Sequence, residues 1–108
     1  MKKIHQSDST GLPLLSRLDL SNTSLSFVHP KTFQNLKLLV HLQLSVNKLT
    51  TLENGMFSNL SNLQLLSLSN NWLTYLKADI FLGLEKLEYL SLNNNQLTTI
   101  SPEAFVNS

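Results

Sequence analysis

Residues 63–86 read LQLLSLSNNWLTYLKADIFLGLEK, and the same pattern of leucine, asparagine and phenylalanine occurs through the chain at a spacing of 24 residues. Four columns of identical residues show this spacing. They are Leu18, Leu42, Leu66 and Leu90; Leu20, Leu44, Leu68 and Leu92; Leu25, Leu49, Leu73 and Leu97; and Phe33, Phe57, Phe81 and Phe105. A fixed period of this length is typical of stacked structural units, each of which buries its apolar side chains against its neighbours. The sequence therefore predicts a solenoid.

The period divides the chain into four repeats and a short N-terminal remnant. The repeats cover residues 15–38, 39–62, 63–86 and 87–108. Residues 1–14 form a degraded or partial repeat, because Ile4 falls in the same column as Val28 while Ser9 stands where a phenylalanine is expected.

Each repeat contains one predicted strand. The segment Leu18-Asp19-Leu20 alternates apolar and polar residues, as expected for a strand with one buried face. Strands that recur once per repeat, always in the same direction, form a parallel sheet along one side. Elsewhere in the repeats, Pro30, Gly55 and Pro102 argue against a long helix, and only residues 77–84 have fair helical character. We expect an α/β-type solenoid composed mostly of strand and loop, with turns and short 3₁₀ or extended pieces opposite the sheet.

An asparagine column follows the strands at Asn47, Asn71 and Asn95. A buried amide can both donate to and accept from the backbone of adjacent coils, so these residues are predicted to form a structural ladder. The first repeat has Thr23 at this position. Its hydroxyl is a shorter, partial substitute, and the first coil is therefore expected to be less regular.

The residues beside the buried leucines are predicted to point outward, because successive side chains of a strand alternate between the two faces. They form a first surface column of Arg17, His41, Leu65 and Tyr89, and a second surface column of Asp19, Gln43, Ser67 and Ser91. The first column contains arginine and tyrosine, which are enriched at protein interfaces. These eight residues are the candidate protein-binding face, the alternative being a solvated face with no partner. Trp72 is a rival anchor on the flank, where the other repeats have smaller or charged residues.

Enzymatic chemistry is not indicated by any motif. The chain has a net charge of +1, 14% charged residues and no cysteine. This composition excludes thiol catalysis and cysteine zinc sites, and it shows no basic footprint for nucleic acid. The three histidines have no metal-ligand spacing, the glycines form no phosphate-binding loop, and no Gly-x-Ser-x-Gly motif occurs. We expect no enzyme activity, no cofactor, no metal and no nucleic-acid partner.

Two sequons make Asn22 and Asn59 candidate N-glycosylation acceptors. Asn59 is the better candidate because it is expected to lie in the loop side of its coil, whereas Asn22 lies next to a strand.

These motifs resemble the leucine-rich repeat family, in its typical 24-residue subclass; the resemblance is carried by residues 63–76 followed by Phe81 and Leu84. It implies a right-handed coil whose parallel sheet lies on the concave face and binds another protein. The subclass is found mostly in extracellular proteins such as Toll-like receptors, Slit-like guidance proteins and adhesion receptors. The resemblance therefore implies part of a cell-surface ectodomain that makes no direct membrane contact through this segment.

Family members usually have cysteine-rich caps at both ends, and this chain has none. The resemblance therefore implies a fragment of a longer ectodomain, or a truncated gene product, whose uncapped ends favour self-association.

Two other readings stay open. One is a structural or adhesive matrix protein of the small leucine-rich proteoglycan kind. The other is an intracellular scaffold, because the sequence contains neither a signal peptide nor a transmembrane segment.

Overall fold

The computed structural model describes residues 14–102 and Ala104, together with the backbone of residues 3–4. It contains eight short strands: β1 (Lys3–Ile4), β2 (Arg17–Asp19), β3 (Phe27–Val28), β4 (His41–Gln43), β5 (Leu65–Ser67), β6 (Tyr75–Leu76), β7 (Tyr89–Ser91) and β8 (Thr99–Ile100). None of the residues in this part of the chain is helical. A solenoid composed mostly of strand and loop is confirmed.

The main sheet is parallel and has the strand order β2-β4-β5-β7. Its register follows the sequence period, so Leu42 pairs with Leu18 on one side and with Leu66 on the other. Leu66 in turn pairs with Leu90. Each coil therefore contributes one strand to this sheet, and residues that share a column in the sequence are neighbours in space.

Two smaller parallel sheets form later in the coils, where β1 pairs with β3 and β6 pairs with β8. Ile4 pairs with Val28 in the first of them, so the period extends back to Ile4 as expected. Leu76 pairs with Ile100 in the second.

The return segments consist of turns. Hydrogen bonds from the amide of Leu36 to the carbonyl of Phe33, and from Leu60 to Phe57, are each 3.1 Å long. Residues 77–84, despite their helical character, also form turns. Asp79 and Gly83 have φ angles of 61° and 96°, outside the range of a right-handed helix, so a continuous helix cannot form there.

The core lies between the main sheet and the return segments. The leucines of the inner coils, such as Leu42 and Leu66, are fully buried. The rings of Phe33 and Phe57, and those of Phe57 and Phe81, stack with centroids 6.4 Å apart in both pairs. The predicted phenylalanine column is therefore continuous from the first coil to the third. Its fourth member, residue 105, and the Ser9 position lie outside the described residues.

Candidate recognition surface

The asparagine ladder holds the strand ends in register. Asn71 is buried, and its Nδ2 donates to the carbonyl oxygens of Leu44 at 2.9 Å and Leu68 at 3.1 Å. Its Oδ1 accepts from the amide of Leu49 at 3.1 Å. One side chain thus satisfies backbone groups of its own coil and of the preceding coil. Asn47 and Asn95 make the equivalent bonds.

Thr23 replaces only part of this network. Its hydroxyl donates to the carbonyl of Leu20 at 2.7 Å, as an asparagine does within its own coil. Both Asn22 and Ser24 on either side of it have positive φ angles, 57° and 60°, whereas the later coils have one such residue at this turn. The first coil is less regular, as expected from the shorter side chain.

The first surface column runs across the main sheet through paired positions. Arg17 pairs with His41, His41 with Leu65, and Leu65 with Tyr89. Arg17 is exposed and Tyr89 is 58% exposed, while His41 and Leu65 are half-buried between them. The column therefore has a cationic end and an aromatic end, with an imidazole and an aliphatic side chain between them.

The second surface column is also brought together by the register, with Asp19 and Gln43 exposed and Ser67 and Ser91 half-buried. The backbone N–H of Ser21 donates to the Asp19 carboxylate at 2.9 Å. This bond favours the ionised form and lowers the pKa of Asp19, which is therefore charged at neutral pH. Arg17 and Asp19 confine the formal charges of the two columns to the first strand.

A third surface column, which the sequence reasoning missed, lies beyond the second. It contains Ser21, Ser45, Ser69 and Asn93. The hydroxyl of Ser45 lies 2.5 Å from that of Ser67 and 3.1 Å from that of Ser69, and Ser91 bonds to Asn93. Period-two alternation continued past the second leucine column would have identified these positions. Because these hydroxyls bond to one another, Ser67 and Ser91 are less available to a partner than their positions imply.

Trp72 lies on the flank, past the end of the main sheet, and is 52% exposed. Its backbone N–H donates to the carbonyl of Leu49 at 2.9 Å. The Nζ of Lys48 lies 6.0 Å from the centroid of the indole. The structure therefore places Trp72 on a surface different from the two predicted columns.

The two candidate glycosylation acceptors, Asn22 and Asn59, are both exposed. The side-chain amide of Asn59 donates to the carbonyl of Gln34 at 3.1 Å, a bond that a glycan on this nitrogen would weaken. Occupancy of either residue stays a prediction.

The part of the chain that the structure describes has neither a metal-binding cluster nor a membrane-spanning helix. No group of three or more histidine, cysteine or acidic residues there is arranged to hold a metal ion. His29 has a local role, since its Nδ1 accepts from the backbone N–H of Lys31 at 3.0 Å. Over the same residues, the structure has no helix of the length and apolarity that a membrane crossing requires.

Comparisons with known proteins place the chain beside one family. The family model described as "Leucine rich repeat" matches residues 13–73 and 66–108. No curated protein matches the chain. Among solved structures, the leucine-rich repeat domain of APL1B superposes with a TM-score of 0.91 at 28% identity, over 99% of this chain and 32% of that one. TLR13, solved as a TLR13-ssRNA13 complex, superposes with a TM-score of 0.64 at 24% identity, over 99% of this chain and 22% of that one.

The chain therefore spans about a third of the APL1B chain and about a fifth of the TLR13 chain. The TLR13 likeness shows a shared fold only. The APL1B likeness extends over the whole stack of coils, including the sheet that carries the surface columns.

Proposed function

The chain belongs to the leucine-rich repeat family, and from that premise we propose that it is the protein-recognition part of a cell-surface receptor ectodomain. The contact face in this proposal consists of the first and second surface columns. The observation that supports it most is the contrast between Leu18, Leu42, Leu66 and Leu90, which are identical, and the first surface column, in which every residue differs. Variable side chains on an ordered outward face, carried by an invariant core, are what a recognition surface on a rigid scaffold requires.

The size of the sheet bears on how the module binds. Parallel strands lie about 4.8 Å apart, so four of them span on the order of 15 Å. A stable interface takes about 800 Å² from each partner. In this proposal, neighbouring repeats of a longer chain contribute the rest of the contact area. An extracellular location is part of the same proposal, as is the absence of a nucleic-acid partner.

The contact face is tested by selecting a partner from an array of extracellular and secreted proteins with a tetramerised form of the chain. Arg17→Ala and Tyr89→Ala are each expected to weaken binding by about 1 kcal/mol or more. The thermal midpoint should stay unchanged, because both side chains are exposed. Thr50→Ala, at an exposed position away from the sheet, is the matched control.

Two results would contradict this proposal. Normal binding by both variants, with loss on Trp72→Ala, would move recognition to the flank. If the chain binds a single-stranded RNA oligomer at physiological salt more tightly than any protein, its partner is a nucleic acid and not a protein.

The receptor assignment has a separate test. The full-length reading frame should encode a transmembrane helix and a cytoplasmic domain after the repeats, whereas cysteine caps followed by termination would favour the matrix protein.

A further inference from the structure

The flank is the outer surface where each coil leaves the main sheet, formed by residues 22–28, 46–52, 70–76 and 94–100. These segments are rich in asparagine, serine and threonine, and Lys48 is their only formally charged residue. No carboxylate within them opposes an anionic partner. Lys48 therefore supplies all of the formal charge of these segments.

Val46 departs from the rest of its column on this flank. It has a φ of 55°, and the equivalent residues Asn22, Asn70 and Asn94 have φ angles of 57°, 57° and 61°. Asparagine tolerates this left-handed conformation, whereas a β-branched residue is strained in it. Val46 is also 47% exposed, so the strain is not offset by full burial in the core. Folding alone favours asparagine here, and a strained apolar residue on a surface points to function.

Trp72 departs from its own column in the next coil. The equivalent residues are Ser24, Lys48 and Gln96, and none of them is aromatic. The backbone of Trp72 is held by the bond to Leu49, yet half of its side chain remains exposed. A large indole on a well-ordered turn is a low-entropy anchor for a partner.

Lys48 lies close to both Val46 and Trp72. It lies two residues after Val46 in the same coil, and its Nζ is 6.0 Å from the Trp72 ring centroid. An aliphatic side chain, an ammonium group and an indole are thus presented on neighbouring coils. One cation is too few for a nucleic-acid backbone, where affinity rises with the number of neutralised phosphates. Apolar contact next to a single positive charge suits a peptide that has an apolar side chain beside a carboxylate.

We propose that Val46, Lys48 and Trp72 form a docking surface, here named the flank site, for an acidic and apolar peptide segment of a protein partner. The peptide carboxylate pairs with Lys48, and its aliphatic or aromatic side chain packs on Trp72 and Val46. This inference does not rest on the proposed function, because the flank site shares no residue with the surface columns.

The flank site is tested with a phage-displayed library of random short peptides selected on the folded chain. We expect enriched peptides to have aspartate or glutamate close to an aliphatic or aromatic residue. Trp72 is the only tryptophan in the sequence, so peptide binding is read directly from a shift of its emission to shorter wavelength. When the selection is repeated on Lys48→Glu, the enriched peptides should no longer be rich in aspartate and glutamate. Calorimetry should show that Lys48→Glu and Trp72→Ala each lower the affinity for an enriched peptide by about tenfold or more. Thr74→Ala, an exposed neighbour, is the control.

The variant Val46→Asn tests whether Val46 serves peptide binding or the stability of the fold. It should raise the thermal midpoint by about 4 °C or more, because it relieves the backbone strain, and it should lower peptide affinity at the same time. A residue with only a structural role would not produce this opposite pair of effects. The proposal is overturned if enriched peptides are neutral or basic, if Val46→Asn keeps full affinity, or if Tyr89→Ala abolishes binding while Trp72→Ala does not.

Discussion

The side-chain amide of Asn71 links two adjacent coils through three backbone groups, those of Leu44, Leu49 and Leu68. All of these bonds are buried, so removal of the amide leaves polar groups without partners. We expect Asn71→Ala to lower the free energy of unfolding by about 1–3 kcal/mol, measured by denaturant titration.

The adjacent residue offers a control for this loss. Asn70 is exposed and has a φ of 57°, a conformation that alanine would strain but glycine accepts. Asn70→Gly should therefore change the unfolding free energy by no more than about 0.5 kcal/mol, as is usual for an exposed position. If Asn71→Ala and Asn70→Gly lower the free energy of unfolding equally, the asparagine ladder does not stabilise the fold.

At the scale of the element, the return turns pack against one another through backbone contacts. A Cβ atom on Gly83 would lie 2.4 Å from the carbonyl oxygen of Ser58 in the preceding coil. Gly55 has a similar positive φ, yet a Cβ atom there would meet nothing within 4 Å. An alanine at Gly55 would therefore suffer backbone strain alone, whereas an alanine at Gly83 would also clash with the neighbouring coil.

Gly55→Ala is expected to lower the free energy of unfolding by about 1–2 kcal/mol through backbone strain alone. Gly83→Ala should lower the free energy of unfolding by a further amount of about 1–3 kcal/mol, because its Cβ atom clashes with backbone that cannot rotate away. Urea unfolding of both variants measures the difference. A loss at Gly83 no greater than that at Gly55 would show that the turns separate freely.

At the scale of the whole molecule, burial decreases from the inner coils to the last described coil. Leu49 is 1% exposed, whereas the equivalent Leu97 is only partly buried. Leu52 is 2% exposed, whereas the equivalent Ile100 is 45% exposed. The amide of Leu73 bonds to Oδ1 of Asn95, but among the described residues no asparagine oxygen accepts from Leu97. Among the described residues, this end presents apolar side chains, and β7 and β8 each have one edge without a partner strand. Both features favour association.

We therefore expect the 108-residue chain by itself to self-associate, with a sedimentation coefficient that rises with protein concentration. Ile100→Lys should reduce the association, because it places a charge on the exposed end. Lys77→Arg, which keeps the charge of a return turn, is the control. A stable monomer at all concentrations would contradict the prediction and show that the ends are covered.

Much of the fold could be predicted because burial in a stack of coils must repeat. Leu18, Leu42, Leu66 and Leu90 pair in register because each occupies the same place in its coil. The outward position of Arg17 and Tyr89 follows from the same alternation. The turns expected opposite the sheet extend through residues 77–84 despite their fair helical character, because Asp79 and Gly83 have positive φ angles.

The 24-residue period is enough to identify the side chains that face the core, those that face the sheet surface and the asparagines that join the coils. The strain at Val46, the position of Lys48 over Trp72 and the bonding of Ser45 to Ser67 became visible in the three-dimensional structure. The position of Lys48 and the bonding of Ser45 depend on side-chain rotamers, whereas the strain at Val46 arises from a positive φ angle that recurs in its column. Neither the rotamers nor the φ angle can be read from the repeating core residues, because exposed positions can vary without disturbing the stacked core.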